Sequence, residues 1–493
     1  MIEHILSYII FIPIFSAIVL GAVRAERKLL RLGAISSSLL TLALVLVVVT
    51  QFDPQGGMQF VQQSPWIVGS GMHYFIGVDA LSLVILLLIA LLMPPLYIYM
   101  LHEHRKGYWY NMMLLQTGVT GAVLSLDLVL FYLFWETMLL PIFIMIGKYG
   151  NGMHQHNAMK IVLMTILGSM SMLFSILYIG YVYYDTTGVW SFALSDLTTI
   201  SFGAKTSIWL AAGFLLAFAI KIPLVGFHTW MAPAYGSAPT PAVVILSAIM
   251  AKLGIYGIWR FGYGLFETTL TYYAPFIIVL ALIGLLYYAI RAITEDNLRK
   301  MFAYSSGSHL SLIALGLFLE NQYAWNGSLY FIATHALASA GIFFMIGLTY
   351  KRFRSVHISE LGGIAHSAPR FTFFFVFFAL SIAGLPGTGG FVAELLIIIG
   401  AFKANLWVGV FTALTMLSAM MYIFWMLQRT LFGKAHNNCQ DISDLSFRET
   451  LMLLPLVVML LVTGIVPSLF TPFFEPYLST TLAGVMQNIG ALR

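Results

Sequence analysis

The sequence predicts an all-α polytopic membrane protein of about fourteen transmembrane helices, and three observations predict it. Hydrophobic residues make up 60% of the 493 and charged residues 9%, against about 45–50% and about 25% in soluble domains. Apolar runs of about 20 residues, the length that crosses the hydrocarbon core, recur along the whole chain. Lys and Arg concentrate in six of the seven odd-numbered loops between those runs, the loop after the seventh run having none. A large soluble enzyme and a disordered chain are excluded. The net charge of +5, from 24 basic and 19 acidic residues, is too thinly spread to make a nucleic-acid-binding face. The single cysteine, Cys439, allows neither an internal disulfide nor a thiolate metal cluster.

The runs extend over about 5–23, 29–50, 80–101, 111–126, 128–147, 159–183, 207–231, 241–262, 272–292, 301–319, 325–349, 371–400, 405–430 and 450–470. The fourth and fifth nearly merge, with Asp127 as the only charge near their break. The opening run lacks a small-residue cleavage site and an upstream basic cluster, so it reads as a retained span rather than a signal peptide.

Cytoplasmic loops carry the excess of positive charge, and this orients the map. Arg24, Arg27, Lys28 and Arg31 follow the first run, Arg105 and Lys106 the third, Lys148 and Lys160 the fifth. Arg291, Arg299 and Lys300 follow the ninth, Lys351, Arg352, Arg354 and Arg370 the eleventh, and Arg429, Lys434 and Arg448 the thirteenth. Against these eighteen, the other face holds Lys205, Arg260, Lys403 and Arg493. Both termini are therefore expected on the non-cytoplasmic side of an energy-coupling inner membrane of bacterial type. The two basic residues left over, Lys221 and Lys252, lie inside runs.

A charge at mid-bilayer costs roughly 2.5–3.5 kcal/mol or more. The chain nonetheless places Glu136, Lys221, Lys252 and Glu394 within apolar runs, with His309 and His335 in the tenth and eleventh. Satisfied pairs that staple helices together, or lysines snorkelling to an interface, would account for such residues. So would a chain of titratable groups that relays protons across the membrane. The neighbouring backbone favours the relay. Pro223 follows Lys221 by two residues, with Pro233, Pro239 and Pro241 soon after, while Gly384, Pro386, Gly387, Gly389 and Gly390 precede Glu394. Proline removes a backbone hydrogen bond and clashes with the preceding turn, so the seventh and twelfth helices are expected to be broken. Paired broken helices point to an internal repeat and a conduction site, and exposed backbone lets water reach buried charges. The two breaks share a Pro-x-x-Gly core, 223–226 and 386–389, about 163 residues apart. A lysine's hold on its proton depends on burial and on a nearby carboxylate. Lifting one charge against about 150–200 mV needs roughly 3.5–4.6 kcal/mol, which a change of about three pKa units supplies.

Together these residues resemble a known family. GVDALSL at 77–83, the Glu136 helix, KIPLVGFHTW at 221–230 and APTPAVVILSAIMAKLGIYGIWRF at 238–261 match it. So do DNLRKMFAYSSGSH at 296–309, the His335 helix and LPGTGGFVAE at 385–394. The chain resembles, over essentially its whole length, the antiporter-like membrane subunits of respiratory complex I (NADH-quinone oxidoreductase), a family related to the Mrp antiporter subunits. Within it the likeness is greatest to the subunit M branch, which carries glutamate at the position of Glu394 where the L and N branches usually carry lysine. The chain also stops soon after run fourteen, without the long lateral helix of the L branch.

The resemblance implies three N-terminal helices over 1–110, a five-helix repeat over 111–262, an inverted five-helix repeat over 272–430, and a last helix and tail over 431–493. It implies that Glu136 and Lys221 are a coupling ion pair, that Lys252, His309 and His335 form a central relay, and that Glu394 ends the exit half-channel. The function implied is that of a non-redox, proton-translocating subunit of an NADH:quinone oxidoreductase, driven by quinone reduction in partner chains. NADH, FMN, iron–sulfur clusters and quinone belong to those partners; this chain is expected to hold no cofactor and no metal. The expected partners are the other membrane-arm subunits, the L-like and N-like ones especially, and the lipid bilayer. A sodium/proton antiporter subunit of Mrp or hydrogenase type is the alternative, and a non-conducting scaffold a third. Two departures from the family pattern stand out. Met231, Ala232, Pro233, Ala234 and Tyr235 follow Trp230 where the family commonly has Leu-Pro-Asp-Ala-His, and Leu310-Ser311 follows His309 where Met-Gly or Leu-Gly is usual.

The remaining features read as ordinary. His154 and His156 lie in a solvated loop, His102 and His104 at an interface, and the phenylalanines of 373–378 and the tryptophans face lipid or its boundary. No strand is expected, hence no phosphate-binding loop for NADH or flavin.

Overall fold

The structure, a computed structural model, describes residues 2–434 and 443–491; Cys439 lies outside them. In chain order the elements are α1 (Ile5–Ala22), α2 (Arg27–Gln51), β1 (Gln59–Ile67), β2 (Met72–Val78), α3 (Ala80–Tyr99), α4 (Lys106–Leu124), α5 (Leu128–Thr137), α6 (Leu139–Tyr149), α7 (His154–Thr187), α8 (Leu194–Leu197) and α9 (Ala204–Lys221). After α10 (Met231–Ser237) come α11 (Thr240–Ile245), α12 (Ala251–Gly257), α13 (Tyr263–Thr294), α14 (Leu298–Phe318), α15 (Gln322–Phe353), α16 (Ile364–Ser367), α17 (Pro369–Ile382), α18 (Gly389–Ala404), α19 (Leu406–Thr430), α20 (Phe447–Ile465) and α21 (Thr471–Ala491).

Each of the fourteen apolar runs is occupied by a helix or by a pair of helices. Eleven helices among the described residues are long and apolar enough to span a membrane. The eighth and ninth runs form one continuous helical stretch, Thr240–Thr294, bent at Phe266 (φ −135°). The twelfth is divided into α17, of 14 residues, and α18, of 16. Helix α21 follows the last run and was not expected.

The expectation of no strands fails at one place. β1 and β2 pair antiparallel, Gln62 opposite Ile76 and Ser64 opposite Tyr74. Gly69 (φ +80°) and Gly71 (φ +73°) let the connection turn. The free edge of β2 continues onto the start of the next helices: Leu126 N–H donates to Phe75 O at 2.8 Å, and His73 N–H donates to Asp127 Oδ2 at 3.1 Å. Asp127 Oδ1 in turn accepts from the N–H groups of Val129 and Leu130. The lone charge between the fourth and fifth runs thus caps α5 and separates it from α4.

The chain forms two compact units. The first holds the chain up to Lys221 together with Leu253–Tyr273 and the end of α21 from Ala483. Within it, Arg260 donates to Asp79 Oδ1 as a buried ion pair. Asp79 also caps α3, accepting from Ser82 N–H at 3.0 Å and Ser82 Oγ at 2.8 Å. Tyr256, which accepts from Arg260 Nε, donates to Val123 O at 2.6 Å. Arg260, one of the few basic residues outside the charge-dense loops, is a buried partner, because a carboxylate 181 residues earlier in the chain meets it.

The second unit comprises Ile222–Lys252 and Ala274–Leu482. Its centre is α14 and α15, buried along nearly their whole length and surrounded by α10, α11, α17, α18 and α20. Polar groups on α14 and α15 therefore face protein rather than lipid. Helix α20 presses on the break before α18: a Cβ on Gly464 would stand 2.2 Å from Gly387 O.

Removing one member of a buried ion pair costs about 3–5 kcal/mol, because the other is left uncompensated. Arg260→Met is expected to lower the thermal unfolding midpoint of the purified protein in detergent, and Asp79→Asn added to it to restore part of the loss. Additive losses in the double variant would show that the pair does not act as a unit.

Candidate functional site

The two breaks are alike in backbone. After α9 ends at Lys221 and after α17 ends at Ile382, the chain makes two short turns. The first closes on a positive φ, at Pro223 (+28°) and Gly384 (+79°), and the second on a left-handed glycine, at Gly226 (+94°) and Gly387 (+93°). The conformational register is therefore 161 residues, not the 163 suggested by the shared Pro-x-x-Gly; Gly389 is already the first residue of α18. Lys221 accordingly stands at the end of the half-helix before its break, whereas Glu394 stands in the half-helix after its own.

The six residues singled out in the sequence fall into two clusters. The first, in the first unit, is Glu136 and Lys221. Glu136 is half-buried near the end of α5. The helix is interrupted immediately afterwards, at Met138, because Pro141 cannot bond the carbonyl of Thr137 and its ring crowds it. Lys221 is 5% exposed. Its ammonium lies 4.6 Å from the centre of the Trp135 ring and senses the charge of Glu136. No ion pair within 4.0 Å joins Glu136 to Lys221 among the described residues, so the expected contact pair is held apart with an indole against the lysine. Trp135 is buried, and Phe131 (5.4 Å) and Phe218 (5.8 Å, edge-on) fix its ring. Sequence reasoning missed Trp135, one residue before Glu136, because it stands among the aromatic residues of an apolar run.

The second cluster, in the second unit, is Lys252, His309, His335 and Glu394, each no more than 2% exposed. His309 Nε2 on α14 is 3.5 Å from Glu394 Oε1 on α18. The His309 and His335 rings are 5.2 Å apart, with the Phe331 ring against both at 5.5 and 5.6 Å. The Lys252 ammonium donates to Ser247 O at 2.5 Å. That lysine is preceded by a π-turn, Leu246–Met250, and followed by another, Ile258–Gly262. Such wide turns interrupt the regular ladder and gather at functional sites; no residue pattern announced them. Ser247 Oγ is 3.2 Å from Ser306 Oγ, which extends the polar row onto α14.

Three atoms of this cluster are buried without a hydrogen-bond partner: Nδ1 of His309 and of His335, and Oε1 of Glu394. Buried polar atoms ordinarily have partners. This many in one unit, lined by groups able to gain and lose protons, make an arrangement through which a proton can be handed on. No group of three or more His, Cys, Asp or Glu side chains among the described residues is placed to hold a metal ion. His154 Nδ1 instead meets Gly147 O at 2.8 Å.

Comparison with known proteins identifies the family and the fold. The family model described as NADH:quinone oxidoreductase/Mrp antiporter, TM, matches residues 125–420. The chain is 33% identical to NADH-quinone oxidoreductase subunit M of Rhodobacter capsulatus, over 99% of this chain and 98% of that one. It is 31% identical to the subunit M of Escherichia coli K12, over 91% of each. Among solved structures it is similar to a chain of respiratory complex I from Thermus thermophilus with bound NADH. The TM-score is 0.89 and the identity 26%, over 98% of this chain and 99% of that one. It shares the fold of a chain of the Mrp complex from a Dietzia species, with TM-score 0.85 and 20% identity. The chain is a multi-pass membrane protein that belongs to the NADH:quinone oxidoreductase/Mrp antiporter family.

Proposed function

We propose that this chain is a proton-translocating membrane subunit of a complex I-type NADH:quinone oxidoreductase. In this reading it carries no redox centre: NADH, FMN, iron–sulfur clusters and quinone sit on partner chains. Its neighbours in the membrane arm are L-like and N-like subunits, and both termini face away from the cytoplasm. The observation that carries the reading is the second cluster. Three basic groups and one carboxyl, each no more than 2% exposed, would be costly as mere packing; the two histidines and the glutamate lie on helices whose other residues are largely apolar.

The two clusters have complementary tasks. In the first, Lys221 has two neighbours of different kind: a carboxylate on Glu136, which favours the charged ammonium, and an indole face on Trp135, which holds the cation more weakly, at about 0.5–2 kcal/mol. Moving Glu136 toward or away from Lys221 changes the lysine's hold on its proton, which is how work done elsewhere in an assembly can be converted into a proton step. In the second, His309 can take a proton from one neighbour and give it to another by using its two ring nitrogens in turn. Glu394 stands at the end of that row, beside the broken backbone of 383–388.

Lys221→Met in the reconstituted complex is expected to lower proton uptake per NADH oxidised by at least about tenfold, while the complex still assembles; a normal proton-to-electron ratio would remove the assignment. Trp135→Leu is expected to slow proton uptake by about 2- to 30-fold, and Trp135→Phe less, as read from fluorescence quenching of a pH dye in sealed vesicles. Equal effects of Leu and Phe would show that ring volume, not the ring's face, is what matters.

A further inference from the structure

Glu394 is poorly supported where it stands. Its Oε1 is buried and makes no hydrogen bond, and His309 Nε2, at 3.5 Å, lies beyond ordinary bonding length. An unsupported buried carboxyl is costly, so it gains from a second partner. Helix α19, which packs on both α14 and α18, brings one in from the side. Tyr422 is 1% exposed. Its hydroxyl is 2.8 Å from Ser305 Oγ, and either oxygen can be the donor. Ser305 lies one helical turn before His309 on α14, hence on the same face. The hydroxyl pair therefore lies one helical turn along α14 from the imidazole that meets Glu394.

We propose that Tyr422, oriented by Ser305, is a positioning residue for Glu394, offering the carboxyl a second resting place away from His309. The reversible hydroxyl pair is what makes this work. When Ser305 donates to Tyr422, the phenol's own O–H is free to donate to ionised Glu394. When Glu394 is protonated, it donates to the phenol oxygen and the phenol donates to Ser305. The two states interchange by rotation about the C–O bonds. The phenol keeps its proton throughout, and the only proton that comes or goes is the one on Glu394. The other titratable groups facing the carboxyl are His309 of α14 and, behind it, His335 of α15 and Lys252. Helices α17 and α20, also packed on α18, contribute uncharged Ser381 and Thr463 nearby, and their charged Arg370, Arg448 and Glu449 lie in their first turns.

This inference rests on Glu394 being part of the relay, and the test separates the two. Purified, assembled complex is reconstituted in vesicles; NADH-driven proton uptake is followed against pH, and the carboxyl C=O band is followed by infrared difference spectroscopy. Glu394→Gln identifies the band by removing it. Tyr422→Phe is expected to shift that band to higher frequency and to move the midpoint of the pumping profile toward higher pH, by about three- to tenfold in proton concentration. Ser305→Ala is expected to act in the same direction but less, and the double variant to match Tyr422→Phe alone. An unmoved band and midpoint in Tyr422→Phe, with pumping lost in Glu394→Gln, overturns the role of Tyr422 and leaves the relay standing. If Tyr422→Phe fails to assemble, Ser305→Ala decides: an unmoved midpoint there overturns the proposal equally. Wild-type pumping in Glu394→Gln overturns the relay itself, and this role with it.

Discussion

Everything in this chain follows from the cost of keeping an ionisable side chain out of water. A membrane interior solvates neither charges nor free backbone groups, so each must find its partner inside the protein. The chain meets that constraint in two ways. At Asp79 and Arg260 it closes the account: carboxylate, guanidinium, Ser82 and Tyr256 satisfy one another. At Lys221, Lys252, His309, His335 and Glu394 it leaves the account open, with an indole in place of a carboxylate against one lysine and single, long or absent hydrogen bonds at the imidazoles and the glutamate. A closed network fixes structure. An open one can change its protonation without tearing the fold.

The backbone is arranged to the same end. Where the polar groups concentrate, the regular helix gives way: at Met138 just after Glu136, at the breaks that follow Lys221 and precede Glu394, and at the π-turns on both sides of Lys252. Each interruption displaces carbonyls from the ladder that would otherwise consume them. Ser247 O, held by the Lys252 ammonium at 2.5 Å, is the direct example. The helices at the centre of the second unit, α14 and α15, are by contrast regular and almost wholly buried. Interrupted segments against rigid ones give side chains freedom of local movement without freedom of the whole.

What was legible in the sequence divides along the same physical line. Lys221, Lys252, Glu136 and Glu394 stood out because a charge in an apolar run violates the period around it. The broken helices stood out because Pro and Gly act on the backbone directly. Trp135 did not, since an aromatic residue among aromatic residues violates nothing until a lysine 86 positions later is seen against its face. The π-turns left no mark, because they depend on packing rather than on residue type. The partner of Arg260 was not legible, because a charge near the end of an apolar run looks the same whether it faces water or a distant aspartate. The hairpin of β1 and β2 was passed over as a loop, although Gly-Ser-Gly between two aromatic-rich segments carried the signal; a short polar stretch between long apolar runs is easily read as connection only.

The identity of residue 394 has a physical consequence of its own. The cluster around it already holds three groups that become cations when protonated: Lys252, His309 and His335. A further amine there would mean that each added proton is opposed by every charge already present, in an interior of low dielectric where such repulsion is strong. A carboxyl reverses the sign of that interaction. Protonating it removes an anion rather than adding a cation, and ionising it beside His309 creates a partner for the imidazolium. The cluster can then hold one mobile proton on either His309 or Glu394 with its total charge unchanged. Between those two placements the energy difference is set by local contacts, the 3.5 Å approach to His309 on one side and the hydroxyls of α14 and α19 on the other. In the proposed relay, passing the proton between His309 and Glu394 would change only its position and not the net charge of the cluster.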